Sequence, residues 1–264
     1  YYPMALTHKP KSDEAPGPNG KHLKFKGMVE EMDRQVGKLT AALDRLGLRE
    51  NTVILFLADN GGDAGGGVTG SNKGKGTCGT AESHALYGEC WANACDTPFR
   101  KYKAWLHEGG VATPLIAHWP KGIQSGLHGT LVTEPTHTID LMATCVDLGK
   151  VDYPAEVNGE KITPMEGTSL VPAFSGKSLQ RGKPIFWEHE GNRAVRDGQW
   201  KLVRYGDSGR NAKLHPWQLY DMENDRSEQT DLANKYPDKV KALAGKWEKW
   251  AVRGRVKPWP WEVE

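Results

Sequence analysis

Thr52-Val53-Ile54-Leu55-Phe56-Leu57-Ala58 carries apolar side chains at six of its seven positions and stops abruptly at Asp59-Asn60-Gly61-Gly62. Successive side chains of a strand point to opposite faces, so a run without polar alternation predicts a strand covered on both sides, as in the parallel sheet of an α/β protein. Such a sheet needs helices on its faces. From Gly27 to Leu46 the residues Val29, Met32, Val36, Leu39, Leu43 and Leu46 recur in steps of three and four, the period of one helix face, with Gly47 as the stop. Leu115 to Trp119 predicts a second strand. Pro135 to Leu148 predicts a second helix, with its proline in the first turn and Gly149 after its end.

Past an irregular stretch at 150–184 the pattern shortens. Ile185-Phe186-Trp187, Arg193-Ala194-Val195 and Trp200-Lys201-Leu202-Val203 read as strands, with Asp197-Gly198 marking a hairpin turn. Tyr236 to Arg253 returns to helical spacing through Val240, Leu243, Trp247 and Trp250, and is expected to cover one face of a small antiparallel sheet. The expected organisation is a larger α/β part over 1–178 and a smaller α+β subdomain over 179–264.

Thirty-five Lys and Arg against 33 Asp and Glu leave a formal charge of +2, with no basic concentration suited to a phosphate backbone, so no nucleic-acid partner is expected. No apolar run reaches the ~18 residues of a membrane span, and no signal peptide is visible. The chain opens on the apolar, strand-like Tyr1-Tyr2-Pro3-Met4-Ala5-Leu6-Thr7 and reads as part of a larger protein. Of the cysteines, Cys78, Cys90 and Cys95 share one Gly-rich loop, where a bridge would suit an exported protein, and Cys145 reads as core. Ten tryptophans suggest aromatic-lined surfaces.

Chemistry concentrates around the first strand. Asp59 and Asn60 lie at its carboxyl end, where ligands sit in open α/β folds, and supply two hard oxygens suited to Ca²⁺ or Mg²⁺. Asn-Gly is also a common turn dipeptide, so a plain turn explains the same residues. Lys103 and His107, four apart, stack if their segment is helical; a fixed ammonium there can stabilise charge on a leaving oxygen, or simply lie on a solvated face. His8 closes the opening run as a candidate proton donor or a partly exposed residue.

These residues, in their order, resemble the carboxyl-terminal part of a type I sulfatase of the arylsulfatase group, in the alkaline-phosphatase-like superfamily. The resemblance rests on Thr7-His8-Lys9-Pro10, on Gly27-Met28-Val29-Glu30 leading to Asn51-Thr52-Val53-Ile54, and on Asp59-Asn60-Gly61-Gly62. It continues through Thr97-Pro98-Phe99-Arg100, Lys103 with Glu108-Gly109-Gly110, Pro114 to Pro120, Asp140 to Thr144, Glu166 to Leu170, Leu219 to Met222 and Asp231-Leu232. The resemblance implies a sandwich around a mixed, largely parallel sheet with a smaller subdomain of antiparallel sheet plus helix. It makes Asp59 and Asn60 ligands of one divalent cation, usually Ca²⁺, and Lys103 and His8 contacts to the sulfate and leaving group. The substrate implied is a small-molecule or carbohydrate sulfate ester, cleaved to an alcohol and sulfate by an exported enzyme.

The family's nucleophile is a formylglycine made from the Cys or Ser of a C-x-P-x-R motif, and none of the 264 residues forms that motif. Cys95-Asp96-Thr97-Pro98-Phe99-Arg100 has one residue too many between Cys and Pro. The formylglycine is therefore expected in a part that precedes this sequence, leaving the polypeptide alone with half an active site. Two other readings stand beside this one: a noncatalytic sulfatase-like protein binding a cation or glycan, and a phosphoester hydrolase of the same superfamily. The loop at 63–96 is expected at the substrate entrance. Glu188-His189-Glu190-Gly191-Asn192 is expected to wall the pocket, with His189 and Asn192 as substrate contacts.

Overall fold

A computed structural model describes residues 21–68, 70–72, 85–86, 88–206 and 214–256. The helices are α1 (Lys21–Arg45), α2 (Glu89–Asp96), α3 (Glu108–Val111), α4 (Ile139–Gly149) and α5 (Pro237–Arg253). The strands are β1 (Ile54–Leu57), β2 (Ser71–Asn72), β3 (Ala85–Leu86), β4 (Leu115–His118), β5 (Glu156–Val157), β6 (Glu160–Lys161), β7 (Ile185–His189), β8 (Asn192–Asp197), β9 (Trp200–Arg204) and β10 (Gln218–Asp221). The described residues form two compact units: one drawn from those up to Arg45, from Phe56–Leu115 and from Phe186 onward, the other from Leu46–Leu55 and Ile116–Ile185. No helix among the described residues is long and apolar enough to cross a membrane.

In the first unit the four-stranded sheet runs β10-β9-β8-β7. β9 pairs antiparallel with β8, setting Val195 opposite Leu202, and with β10, setting Leu219 opposite Leu202. Side chains alternate, so the sheet has two distinct faces, and both are buried. Val195, Leu202 and Leu219 pack on Leu243, Trp247 and Ala251 of α5. Ala194, Val203 and Tyr220 face the other way and pack with Leu106 and Met222. The α5 stripe thus follows the expected spacing. Tryptophans serve this interior: Trp200, Trp217 and Trp250 join the α5 cluster, and Trp187 packs against the opposite one. Among the described tryptophans only Trp91 is exposed, which corrects the expectation of aromatic-lined surfaces.

The hairpins have conventional causes. β7 and β8 are joined by Glu190 and Gly191, both at positive φ (50° and 84°), as tight two-residue turns demand. β8 and β9 turn on Gly198 (φ 59°) and Gln199, because Asp197 itself pairs with Trp200 in the ladder. The turn therefore lies one residue later than Asp197-Gly198.

Several boundaries differ from the sequence reading. Among the described residues β1 pairs with β4 alone, and neither strand is covered throughout: Phe56 is 37% exposed and Ile116 of β4 59%. α1 exists as the spacing predicts and Gly47 takes a positive φ of 65° after it, but Val29, Leu39 and Leu46 of its apolar stripe are exposed. In the second unit α4 starts at Ile139, four residues after Pro135. The buried Asp140 carboxylate accepts the backbone N–H of His137 at 2.8 Å and of Thr168 at 2.8 Å, and pairs with Arg181, which fixes the start there. Lys150, not Gly149, takes the left-handed position at its end (φ 50°), and Cys145 is exposed, not core.

Trp247 is 1% exposed, and its indole N–H donates to the Trp187 carbonyl at 2.9 Å. Trp247→Ala should cost about 3–5 kcal/mol, the range for removing a buried large aromatic, read as a lowered urea midpoint with little change in slope.

Candidate active site

Three backbone segments meet tightly at the end of β1. Gly61 N–H donates to the Gly110 carbonyl at 3.0 Å, Lys103 N–H to Gly62 at 3.0 Å, and Gly109 N–H to Arg100 at 2.9 Å. A Cβ on Gly61 would lie 1.8 Å from the Gly109 carbonyl oxygen, and one on Gly109 would lie 2.1 Å from that of Lys101. Backbone cannot yield by that much, so the glycines after Asn60 and after Glu108 are what let the β1 turn, the 100–105 loop and α3 touch. The Asp96 carboxylate, at the end of α2, closes the turn by accepting Gly62 N–H at 2.9 Å. Burial raises the Asp96 pKa, against the lowering effect of that hydrogen bond.

The 100–105 loop is strained on either side of Lys103. Lys101 (φ 68°) and Ala104 (φ 75°) both occupy the left-handed region, at a cost of order 1 kcal/mol each, and persist because neighbouring bonds fix them. Asn192 supplies one: its side-chain N–H donates to the Ala104 carbonyl at 3.2 Å, while its Oδ1 accepts Gly206 N–H at 3.0 Å. Tyr102 O–H donates to Glu89 of α2 at 2.6 Å; burial, then Glu89, push the phenol up to about 12. Lys103 itself is exposed, with Nζ 3.6 Å from Asp63 Oδ2. Lys103 and His107 do not stack on a helix: Lys103 lies in a turn, and His107 is fully buried just before α3.

Asp59 is exposed at the turn, and Asn60 is half-buried with its amide nitrogen donating to the Gly61 carbonyl at 2.9 Å. That bond leaves the amide oxygen as the end available to a ligand. An exposed carboxylate beside an oriented amide oxygen fits a hard cation and supplies two of the six to eight oxygens that Ca²⁺ takes. Among the described residues no group of three His, Cys, Asp or Glu gathers at one point. His189 is exposed at the end of β7, and Glu188 Oε1 accepts Gly191 N–H at 2.8 Å across the hairpin. Cys90 and Cys95 are free and exposed on α2, a helix that the aperiodic reading of 61–96 did not anticipate. His8 and Cys78 lie outside the described residues.

Beneath the surface groups lies a buried polar layer that the sequence reading missed. Lys201 of β9, fully buried, reaches Glu108 Oε1 at 2.7 Å and Glu228 Oε1 at 2.9 Å. Glu228 Oε2 accepts Glu108 N–H at 2.6 Å. Burial works to raise Glu108, but Lys201, Arg196 and Arg226 outweigh it and hold the carboxyl below its usual range. Glu228 is raised, chiefly by burial. Beside them Arg100 Nη1 donates to the Tyr220 hydroxyl at 3.0 Å, and that hydroxyl donates to Gln218 Oε1 at 2.9 Å. The same oxygen pairs with His107 Nε2 at 3.2 Å, so Nε2 bears the proton in this assignment.

The architecture matches known proteins. A family model described as Sulfatase matches residues 7–151, and one described as N-sulphoglucosamine sulphohydrolase, C-terminal, matches residues 99–249. The chain belongs to the sulfatase family, of the type I, alkaline-phosphatase-like class. It is 27% identical over 239 residues to an uncharacterized sulfatase of Schizosaccharomyces pombe, covering 84% of this chain and 42% of that protein. To the choline-sulfatase of Rhizobium meliloti it is 29% identical over 212 residues, covering 78% and 31%. The crystal structure of Ps i-CgsB superposes with a TM-score of 0.64 at 27% identity, covering 89% of this chain and 44% of that one. The chain thus spans less than half the length of each of these three relatives.

Burial, then the Lys201 charge, lower the His107 pKa from 6.5 to about 3. Between those values the unfolded chain binds a proton that the folded one refuses. The associated stability is complete above pH ~6.5 and is lost as pH falls toward ~3, at up to about 1.4 kcal/mol per pH unit. His107→Gln should remove that component, seen as a flatter dependence of unfolding free energy on pH than in the native protein.

Proposed function

We propose that this chain supplies the cation- and sulfate-holding side of a sulfatase active site, in a protein that hydrolyses a sulfate ester to an alcohol and sulfate. The observation that carries this is the hydrogen bond from Lys103 N–H to the Gly62 carbonyl, which ties the loop bearing the exposed ammonium to the turn bearing Asp59 and Asn60. Asp59 and Asn60 would hold one divalent cation, Ca²⁺ by choice of hard oxygen donors. Bound there, the cation supplies positive charge that attracts the sulfate oxygens and offsets charge developing during S–O cleavage. Lys103 adds a second positive group on the same side, free to follow the sulfate because its side chain is half exposed. His8 is assigned to the leaving oxygen as proton donor on family resemblance alone. His189 and Asn192 stand in this reading beside the ester; Asn192, spent on Ala104 and Gly206, would act by fixing the Lys103 loop.

The sulfate ester reading draws on relatives named for choline and steryl sulfates, and on Ps i-CgsB, whose structure has been determined with k-i-k-neocarrahexaose. A carbohydrate or small-molecule sulfate ester handled by an exported protein is the substrate class we favour. The absence of C-x-P-x-R and S-x-P-x-R from the 264 residues favours one second reading, a polypeptide that binds cation or glycan without turnover when alone.

A metal titration separates these residues from a plain turn. Asp59→Ala should weaken Ca²⁺ or Tb³⁺ binding by at least about 10-fold, since even outer partners of a metal carry that much; unchanged affinity would overturn the cation site. The isolated 264-residue polypeptide should not hydrolyse an aryl sulfate, because an activated nucleophile is needed for the chemical step. Turnover that Lys103→Ala abolishes would show the nucleophile to be within it.

A further inference from the structure

Glu228 is a conformational oddity. It is not glycine, yet it holds φ at 56°, and it is fully buried although acidic. A side chain kept in the left-handed region while buried signals that its surroundings fix it. Two groups do so in opposite directions. Its carboxylate accepts the first backbone N–H of α3, that of Glu108, at 2.6 Å, and pairs with Lys201 at 2.9 Å. Its own carbonyl accepts Arg100 Nη1 at 3.2 Å.

Those two arms end on the two segments that frame the candidate site. Through Glu108 the carboxylate holds α3, whose Gly110 carbonyl receives Gly61 N–H beside Asn60. Through Arg100 the carbonyl holds the start of the loop that carries Lys103, and Gly109 N–H joins the two segments at the Arg100 carbonyl. We propose that Glu228 is a positioning residue, which sets the Asp59–Asn60 turn and the Lys103 loop at their working separation from beneath. It touches neither cation nor substrate. The inference rests on the reading of Asp59, Asn60 and Lys103 as the site.

Glu228→Gly is the informative variant. Glycine accepts the left-handed backbone without strain, and the carbonyl stays to receive Arg100, so only the carboxylate arm is lost. Lys201 keeps Glu108 as its counter-charge, so no buried charge is stranded. Native-state amide exchange of the protein should then speed by about 10-fold at Gly61, Lys103 and Gly109, with the sheet amides of Val195 and Leu202 unchanged. Tb³⁺ affinity should fall by about 10-fold, as when a supporting partner of a metal ligand is removed. Glu228→Gln, which keeps an oxygen for Glu108 N–H, should restore both. Unchanged exchange at the three amides, or an equal rise at every amide, would overturn the proposal, the second because it marks plain destabilisation. If the native protein bound no Tb³⁺, the cation reading would fall, and the amide pattern would still decide the role of Glu228.

Discussion

An ammonium fully removed from water between two carboxylates is the interaction on which the first unit turns. Moving each such ion out of water costs several kcal/mol even after relaxation, so Lys201 is tolerable only because Glu108 and Glu228 both lie within 3 Å. Lys201, Arg196 and Arg226 outweigh burial at Glu108 and keep it low, whereas burial dominates at Glu228 and raises it. The Glu228 carboxylate also receives the Glu108 backbone N–H. Neutral His107 fits this layer, because burial and then the nearby Lys201 charge both disfavour a proton on its ring.

The same layer explains why the visible residues of the site are few and exposed. Asp59 and Lys103 stand at the surface, while their spacing is set by backbone bonds through Gly61, Gly62 and Gly109. Function and rigidity are divided between different residues. In the proposed site the groups assigned to the ligand lie at or near the surface, and the groups that hold the loops are spent on one another.

What was legible in the sequence follows from the same division. The helices at 27–46 and 236–253 showed because an apolar stripe repeats over four or more turns, and the strands at 185–187, 193–195 and 200–203 showed because turn residues bracket them. Asp59 and Asn60 stand out as hard donors at a strand end and Lys103 as a cation four residues before His107, and all three again by family resemblance. Asn192 was picked for its polarity, and the structure commits its amide to backbone at both ends. Helix α2 was missed because eight residues in a Gly-rich stretch carry too little periodicity. Lys201 and Glu228 were missed for a plainer reason: a lysine in a strand and a glutamate in a turn read as solvated, and only tertiary pairing buries them. The one available signal was Lys201 itself, a charge at the centre of the otherwise apolar Trp200-Lys201-Leu202-Val203 run.

That position shows how fold and site are fixed together. In β9, Leu202 points to Trp247 and Leu243 of α5, and Lys201, one residue earlier, points to Glu108 on the other face. A one-residue slip against β8 and β10 would drive the ammonium into the α5 core and leave two buried acids facing a leucine, so hydrophobic and ionic terms reject the same alternative. Register is therefore specified from both sides of the sheet. Because Arg196 and Tyr220 are the ladder partners of Lys201, the correct register also delivers the Tyr220 hydroxyl to Arg100, at the root of the Lys103 loop. The small antiparallel sheet is thus the template on which the loops around Asp59 and Lys103 are set, and its α5 cover stabilises that template from the far face.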